Sequence, residues 1–313
     1  MRLFYVIIII ALAFPALAQK SIIKASGDVS DIIVDKNLII ASTVNGTIET
    51  FDIKSHRLIS KVRFGKIKDF TGELVNVEVF KLLKIGPKLF AIVHGENGFN
   101  DIYEINGNIK NRIITGSSLN AVAISIKCCF DNQLIIGLLS NEIVKYNLKS
   151  SRITYRKQIS SYAFSDMVVD EKGQFAYSSD ESGEIHKIDL KTGIVKRTFK
   201  GQNVDNVISL AYSSGLLIGG GKDRRLSIYN TKTGRAFYKN TNSFVHAVGI
   251  SPSGAKVVYY DDETNGLVVF NTHTNSKVKT LLGHKSMVTR ILFITENRLV
   301  SSGIDRQIIL WNI

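Results

Sequence analysis

A short motif returns along this chain at a nearly fixed interval. An apolar, alternating stretch ends in an aromatic or aliphatic residue, and an acid or amide comes next. The pairs are Phe51-Asp52, Tyr103-Glu104, Tyr146-Asn147, Ile188-Asp189, Tyr229-Asn230, Phe270-Asn271 and Trp311-Asn312. Successive pairs are spaced 52, 43, 42, 41, 41 and 41 residues apart. The residues just after each pair also recur: FDIKSHR at 51–57 matches YNLKSSR at 146–152, and IDLKTG at 188–193 matches YNTKTG at 229–234. Gly193, Gly234 and, in FNTHTN, Asn275 stand where a tight turn wants positive φ.

A unit of this length cannot bury its apolar faces alone and must stack on copies of itself. Val, Ile and Tyr are plentiful and helix-period stretches are scarce, which argues all-β. Together these predict an all-β, seven-bladed β-propeller with four strands per blade. For the first blade the strands are expected at 29–35, 38–42, 47–53 and 58–64. Trp311 then falls on the third strand of the seventh blade. The segment KSIIKAS at 20–26 is expected to supply its fourth strand, so that N-terminal and C-terminal segments pair and close the ring. Closure removes the need for the capping units of open arrays. The step from blade 1 to blade 2 is longer than the others, and the excess lies at 64–76, FGKIKDFTGELVN. Such an insertion maps to a loop on one face, either as part of a binding surface or as neutral drift.

The first residues have another character. Arg2, an apolar run over 3–15 and Ala16-Leu17-Ala18 have the layout of a secretory signal peptide. The run is short for a membrane span, which leaves an uncleaved anchor as the lesser alternative; it lacks twin Arg, and no Cys stands directly after the cleavage site. Residues 1–18 are therefore expected to be a cleaved Sec-type signal. Residues 19–313 would form a single monomeric propeller domain in the periplasm.

The last unit, LLGHKSMVTRILFITENRLVSSGIDRQIILWNI, resembles a WD40 repeat. Gly283-His284, Ser301, Asp305 and Trp311-Asn312 stand at that family's spacing. GGGKDRRLSIYN at 219–230 keeps the Asp, as Asp223, and the aromatic, as Tyr229; the other five units are degenerate. The resemblance implies that His284, Ser301, Asp305 and Trp311 form a hydrogen-bonded tetrad, stapling the loop between blades to a hairpin. A hydrolase triad is the competing reading of His284, Ser301 and Asp305. No nucleophile elbow or oxyanion loop accompanies it, so no catalytic role is expected.

Other chemical signals are sparse. KCCF at 127–130 holds the only two cysteines, Cys128 and Cys129. Adjacent Cα atoms lie about 3.8 Å apart, closer than a relaxed disulfide prefers, and on a strand the two side chains point to opposite faces. A pair of buried or half-buried thiols is the plainer reading; a vicinal disulfide or a soft-metal site in an oxidising compartment is the sharper one. DDETNG at 261–266 has Thr272 where a calcium loop needs its bidentate Glu, and reads as a hairpin turn. GGGK at 219–222 lacks the phosphate-loop spacing. The six His show no metal-ligand cluster, and no haem attachment site is present. No cofactor and no metal are expected.

The formal charge of +13 is unevenly spread. Segments assigned to the outermost strands and the turns before them hold over half of the 40 Lys and Arg and no Asp or Glu. This predicts a basic perimeter that includes Lys61, Arg63, Arg156, Lys157, Lys196, Arg197, Lys239 and Lys277. It protects sheet edges from aggregation, and its one-sidedness favours a further role in attracting an acidic protein or an anionic lipid surface. Aromatics do not alternate with the bases, which argues against nucleic acid. The hairpins between second and third strands gather Glu96, Asp180, Glu181, Asp223, Asp261 and Asp262, mixed with Lys222, Arg224 and Arg306. The WD40 resemblance implies that this face contacts partners.

In layout the chain is similar to the NapL family of periplasmic nitrate reductase accessory proteins. That resemblance implies a non-catalytic, cofactor-free scaffold that docks reductase subunits or their electron-donating cytochromes. Two alternatives stand beside it: an envelope-assembly scaffold, and a small-ligand-binding or enzymatic propeller that uses its central channel.

Overall fold

The computed structural model describes residues 20–68 and 71–313. The N-terminal segment with the signal-peptide layout lies outside the described residues. Seven four-stranded antiparallel sheets succeed one another along the chain. Blade 1 consists of Val29–Asp35, Leu38–Thr43, Thr47–Asp52 and Leu58–Arg63. Each boundary falls within one residue of the sequence expectation. Strands are called a to d from the inside outward.

Strand a of each blade lies beside strand a of the next, from Val29–Asp35 through Val79–Ile85, Ala123–Cys128, Phe164–Val169, Val207–Ser213 and Val248–Ile250 to Val288–Thr295, which returns to the first. Gln307–Asn312, strand c of blade 7, pairs on one side with Arg298–Gly303 and on the other with Lys20–Lys24. Lys20 stands opposite Trp311 and Lys24 opposite Gln307, so the N-terminal strand closes the ring. The closing strand ends before Ser26, whose backbone N–H and hydroxyl both donate to Glu49 of blade 1.

The aromatic-Asx repeat is explained at the c–d turns. The carboxylate or amide oxygen of Asp52, Asn147, Asp189, Asn230 and Asn271 accepts the N–H groups two and three residues on, at 2.6–3.2 Å. The fourth residue after each then takes positive φ: His56, Ser151, Gly193, Gly234 and Asn275. Each pair thus ends strand c with an aromatic or aliphatic in the core and turns the chain with the next side chain.

The hydrophobic core is divided into wedges. Seven buried clusters each span one blade-to-blade interface. Middle strands are buried on both faces and read as near-continuous apolar runs, such as LVVF in Gly266–Asn271. Strands d carry most of the exposed positions, as in Arg152–Gln158. The insertion after blade 1 forms a small hairpin in which 67–68 pairs with 74–75; its residues 69 and 70 lie outside the described residues.

Candidate functional site

The d–a loops between blades and the b–c hairpins within them meet on one face, and in blade 7 the contact is complete. The Trp311 indole N–H donates to Ser301 Oγ at 2.8 Å. His284 Nε2 lies 2.7 Å from the same oxygen, and His284 Nδ1 lies 3.0 Å from Asp305 Oδ2. Because the Asp305 carboxylate can only accept, Nδ1–H donates to it, and Nε2 of the neutral ring accepts the Ser301 proton. Asp305 also accepts the N–H groups of Lys285 and Gln307 at 2.8 and 3.1 Å. Burial pushes the Asp305 carboxyl up, but these hydrogen bonds outweigh it and the group titrates below the ordinary range. A Cβ at Gly303 would stand 2.7 Å from the Met287 carbonyl and close to both His284 and Asp305, so the loop can approach only over glycine. Ser301 is wholly buried and its hydroxyl engaged. The four residues are brought together as a staple, and Ser301 is out of reach of any carbonyl arriving from solvent.

Other blades build the same junction from different residues. In blade 5, Asn203 Nδ2 donates to Asp223 Oδ1 at 3.0 Å, while Val204 N–H donates to Oδ2 at 2.8 Å, matching Lys285 and Asp305. Gly219 takes the place of Ser301, and the buried Tyr229 hydroxyl has only the Gln202 backbone within reach. In blade 4, Asp180 Oδ2 receives Ser160 at 2.6 Å, Asn141 at 3.1 Å and His186 Nε2 at 3.0 Å, and Oδ1 receives the Ser182 hydroxyl. Burial raises the Asp180 carboxyl; hydrogen bonds from His186, Ser160 and Ser182 more than reverse this and hold it down at about 2. In blade 6, Asp262 N–H donates to Ser243 Oγ at 3.0 Å.

These junctions correct the expected partner-contact set. Asp180 is fully buried and Asp223 is enclosed by its own loop, so both serve the fold. Asp261, half-buried, accepts from Thr264 at 2.9 Å. Glu96, Glu181, Lys222, Arg224, Asp262 and Arg306 remain exposed. The hairpin reading of DDETNG holds, with Lys256–Asp261 turning into Gly266–Asn271. Among the described residues no group of His, Cys, Asp and Glu could hold a metal ion.

Sequence reasoning passed over the apolar side chains of this face. Tyr162, Val204 and Phe244 sit on three successive d–a loops and are 55%, 66% and 46% exposed. Leu139 and Ile304, on b–c hairpins, are also exposed. Nothing periodic marks them, because loop residues carry no strand or helix pattern; an apolar residue inside a polar loop was the available signal.

The perimeter cations lie on strands d, as expected, but are less isolated than a count of those strands implies. Strand c supplies acids across the sheet. Lys61 reaches Glu49 at 2.8 Å, and Arg156 clasps Glu142 through two bonds of 2.6 Å. Lys196 stands 3.9 Å from Asp189, Arg197 lies over the Phe199 ring, and Lys239 over Phe270. Arg63, Lys157 and Lys277 have no such acid partner among the described residues.

Cys128 closes strand a of blade 3, and Cys129 is the next residue. Both thiols are free. Both border the central cavity; Cys128 is half-buried there, whereas Cys129 is buried, packs in the cluster of Ile135, Phe164 and Met167 and donates to Asp131 Oδ1 at 2.8 Å. Burial, then the hydrogen bond to Asp131, pushes the Cys129 thiol up to about 12, which removes it as a thiolate nucleophile at neutral pH.

Residues 275–312 match the family model for the WD domain, G-beta repeat. Blade 7 is thus similar to a WD repeat, and the chain as a whole folds as a seven-bladed β-propeller. A chain of the crystal structure of the mitotic checkpoint complex is similar in fold, with a TM-score of 0.77 at 16% identity, over 100% of this chain and 97% of that one. No curated protein matches the sequence. Among the described residues no helix is long and apolar enough to cross a membrane.

Proposed function

We infer that the protein is a non-catalytic scaffold that binds another protein through its d–a and b–c loop face. The observation that carries this reading is the row of exposed Tyr162, Val204 and Phe244 on successive d–a loops. Apolar surface left in water forgoes about 25 cal/mol per Å², and clustered exposure of this kind marks interaction sites. Hydrogen bonds between loops and hairpins hold the row on a rigid base. Glu181, Lys222, Arg224, Asp262 and Arg306 surround it as a polar rim. WD40-type propellers are in general platforms for protein contacts, which agrees with this reading.

The finer proposal is that the chain is exported to the periplasm and serves nitrate reduction, docking reductase subunits or their cytochromes. The N-terminal leader pattern and the similarity in layout to NapL support it. Arg63, Lys157 and Lys277, which have no acid partner among the described residues, would steer an acidic partner over distance. A pull-down from periplasmic extract, at low and moderate salt, tests both levels. The tagged chain should recover reductase subunits or cytochromes, and Tyr162→Ser/Val204→Ser/Phe244→Ser should lose them. Arg63→Glu/Lys157→Glu/Lys277→Glu should change mainly the salt dependence. Recovery untouched by the loop variant would overturn the loop face. Recovery of envelope-assembly proteins instead would overturn the nitrate reading and leave the scaffold.

A further inference from the structure

The channel along the ring axis has two unlike levels. The upper one contains Asp31, Lys81, Asp166 and Arg290. Its acids are already engaged: Asp166 accepts the N–H groups of Met167 and Leu210 at 2.8 and 2.9 Å, and Asp31 accepts that of Leu82 at 3.0 Å and faces Arg290 at 3.5 Å. Two residues further along each strand the channel opens into a cavity of 620 Å³. The inner strands line it at this level with Leu83, Val168, Ala211, Gly249, Leu292 and Lys127, and Arg290 from the level above and Lys172 at the mouth also border it. Acids at the mouth are committed to backbone: Asp170 accepts Gln174 and Phe175 N–H at 2.7 and 2.8 Å, and Glu171 accepts Ser214 N–H at 2.6 Å. The Lys127 ammonium has neither a hydrogen bond nor an ion pair among the described residues.

Burial, and then the nearby Arg290 cation, bring the Lys127 amine down to about 8, against the pull of Asp166 and Asp31. At neutral pH it is still mostly charged. Lys127 is half-buried, and a cation without a partner beside apolar walls favours a counter-charge; a cavity of this size accepts a small molecule. We propose that the channel binds a small organic monoanion, its carboxylate on Lys127 Nζ and its apolar body along Leu83, Val168 and Leu292. The residues concerned belong to inner strands and are separate from the loop face, so the two sites can be tested apart.

Octanoate, with octanol as its uncharged counterpart, is the probe, titrated calorimetrically into the full chain and into Lys127→Met and Lys127→Arg. Octanoate should bind the unsubstituted chain saturably, weaken about tenfold or more in Lys127→Met and largely recover in Lys127→Arg. Octanol should bind the unsubstituted chain and Lys127→Met alike. Equal octanoate affinity for the unsubstituted chain and Lys127→Met, or no saturable binding at millimolar octanoate, overturns the proposal. Cys128 at the same cavity gives a readout that needs no substitution: octanoate should slow its alkylation, and an unchanged rate at saturating octanoate counts against the site.

Discussion

Blades 7 and 5 make the same junction with different completeness. In both, an aspartate at the mid-point of the b–c hairpin collects N–H groups from the d–a loop and from its own hairpin. Blade 7 continues the chain of hydrogen bonds inward through His284 and Ser301 to the Trp311 indole. Blade 5 stops at Asn203, because Gly219 offers no hydroxyl; a Cβ there would meet Ser227 Oγ at 2.5 Å. The difference teaches that the outer half of the staple, which holds the loop, is retained when the inner half is dropped. Loop anchoring and core satisfaction are separable, and a degenerate repeat can keep the first without the second.

That contrast can be broken most forcefully at its centre. Trp311→Ala removes a fully buried ring at the closing blade and should cost about 3–5 kcal/mol in denaturant unfolding. An effect below about 1 kcal/mol would mean that blade 7 is not the keystone the closure geometry makes it. Ser301→Ala strips the link between His284 and Trp311 and leaves two buried polar groups short of a partner. A loss of about 1–3 kcal/mol is expected from the same titration.

Blade 4 sharpens the comparison through pH. The Asp180 carboxyl is depressed in the folded state, so the unfolded chain takes up its proton first as pH falls. Its contribution of about 2 kcal/mol is complete above about pH 4 and drains away as pH falls toward the folded value of about 2. Acid unfolding of Asp180→Asn should show that much less slope across this window; an identical profile would place the acid sensitivity elsewhere. At the small end, Tyr229→Phe in blade 5 removes a hydroxyl that no serine meets, Gly219 standing where blade 7 has Ser301. Its stability should change by no more than about 1 kcal/mol; a larger loss would show that the Gln202 backbone holds the hydroxyl firmly.

Much of the architecture was legible because it is written locally. The strand boundaries of blade 1, the positive φ at Gly193, Gly234 and Asn275, and the pairing of the N-terminal segment with strand c of blade 7 all derive from a 41-residue period and from turn chemistry within a few residues. The candidate site was legible only where a full motif survived. His284, Ser301, Asp305 and Trp311 could be grouped from spacing, whereas Asn203 standing in for His284 could not. Asp180 and Asp223 looked like surface acids of a hairpin and proved to be buried fasteners. Perimeter lysines and arginines looked uncompensated because their acids, Glu49 and Glu142, lie on the neighbouring strand.

The sequence by itself determined that this chain builds seven similar antiparallel sheets, where each turns, and which strand completes the last. Those features depend on contacts within one repeat or on the register of one pairing, and periodicity records both. Only the tertiary structure decided which charges are spent on the fold, that Tyr162, Val204 and Phe244 stand in a row, and that Lys127 faces an apolar channel level contributed by five other blades. Those outcomes join residues a whole repeat or more apart in sequence, and the distances and desolvation that set their chemistry exist only once the ring has closed.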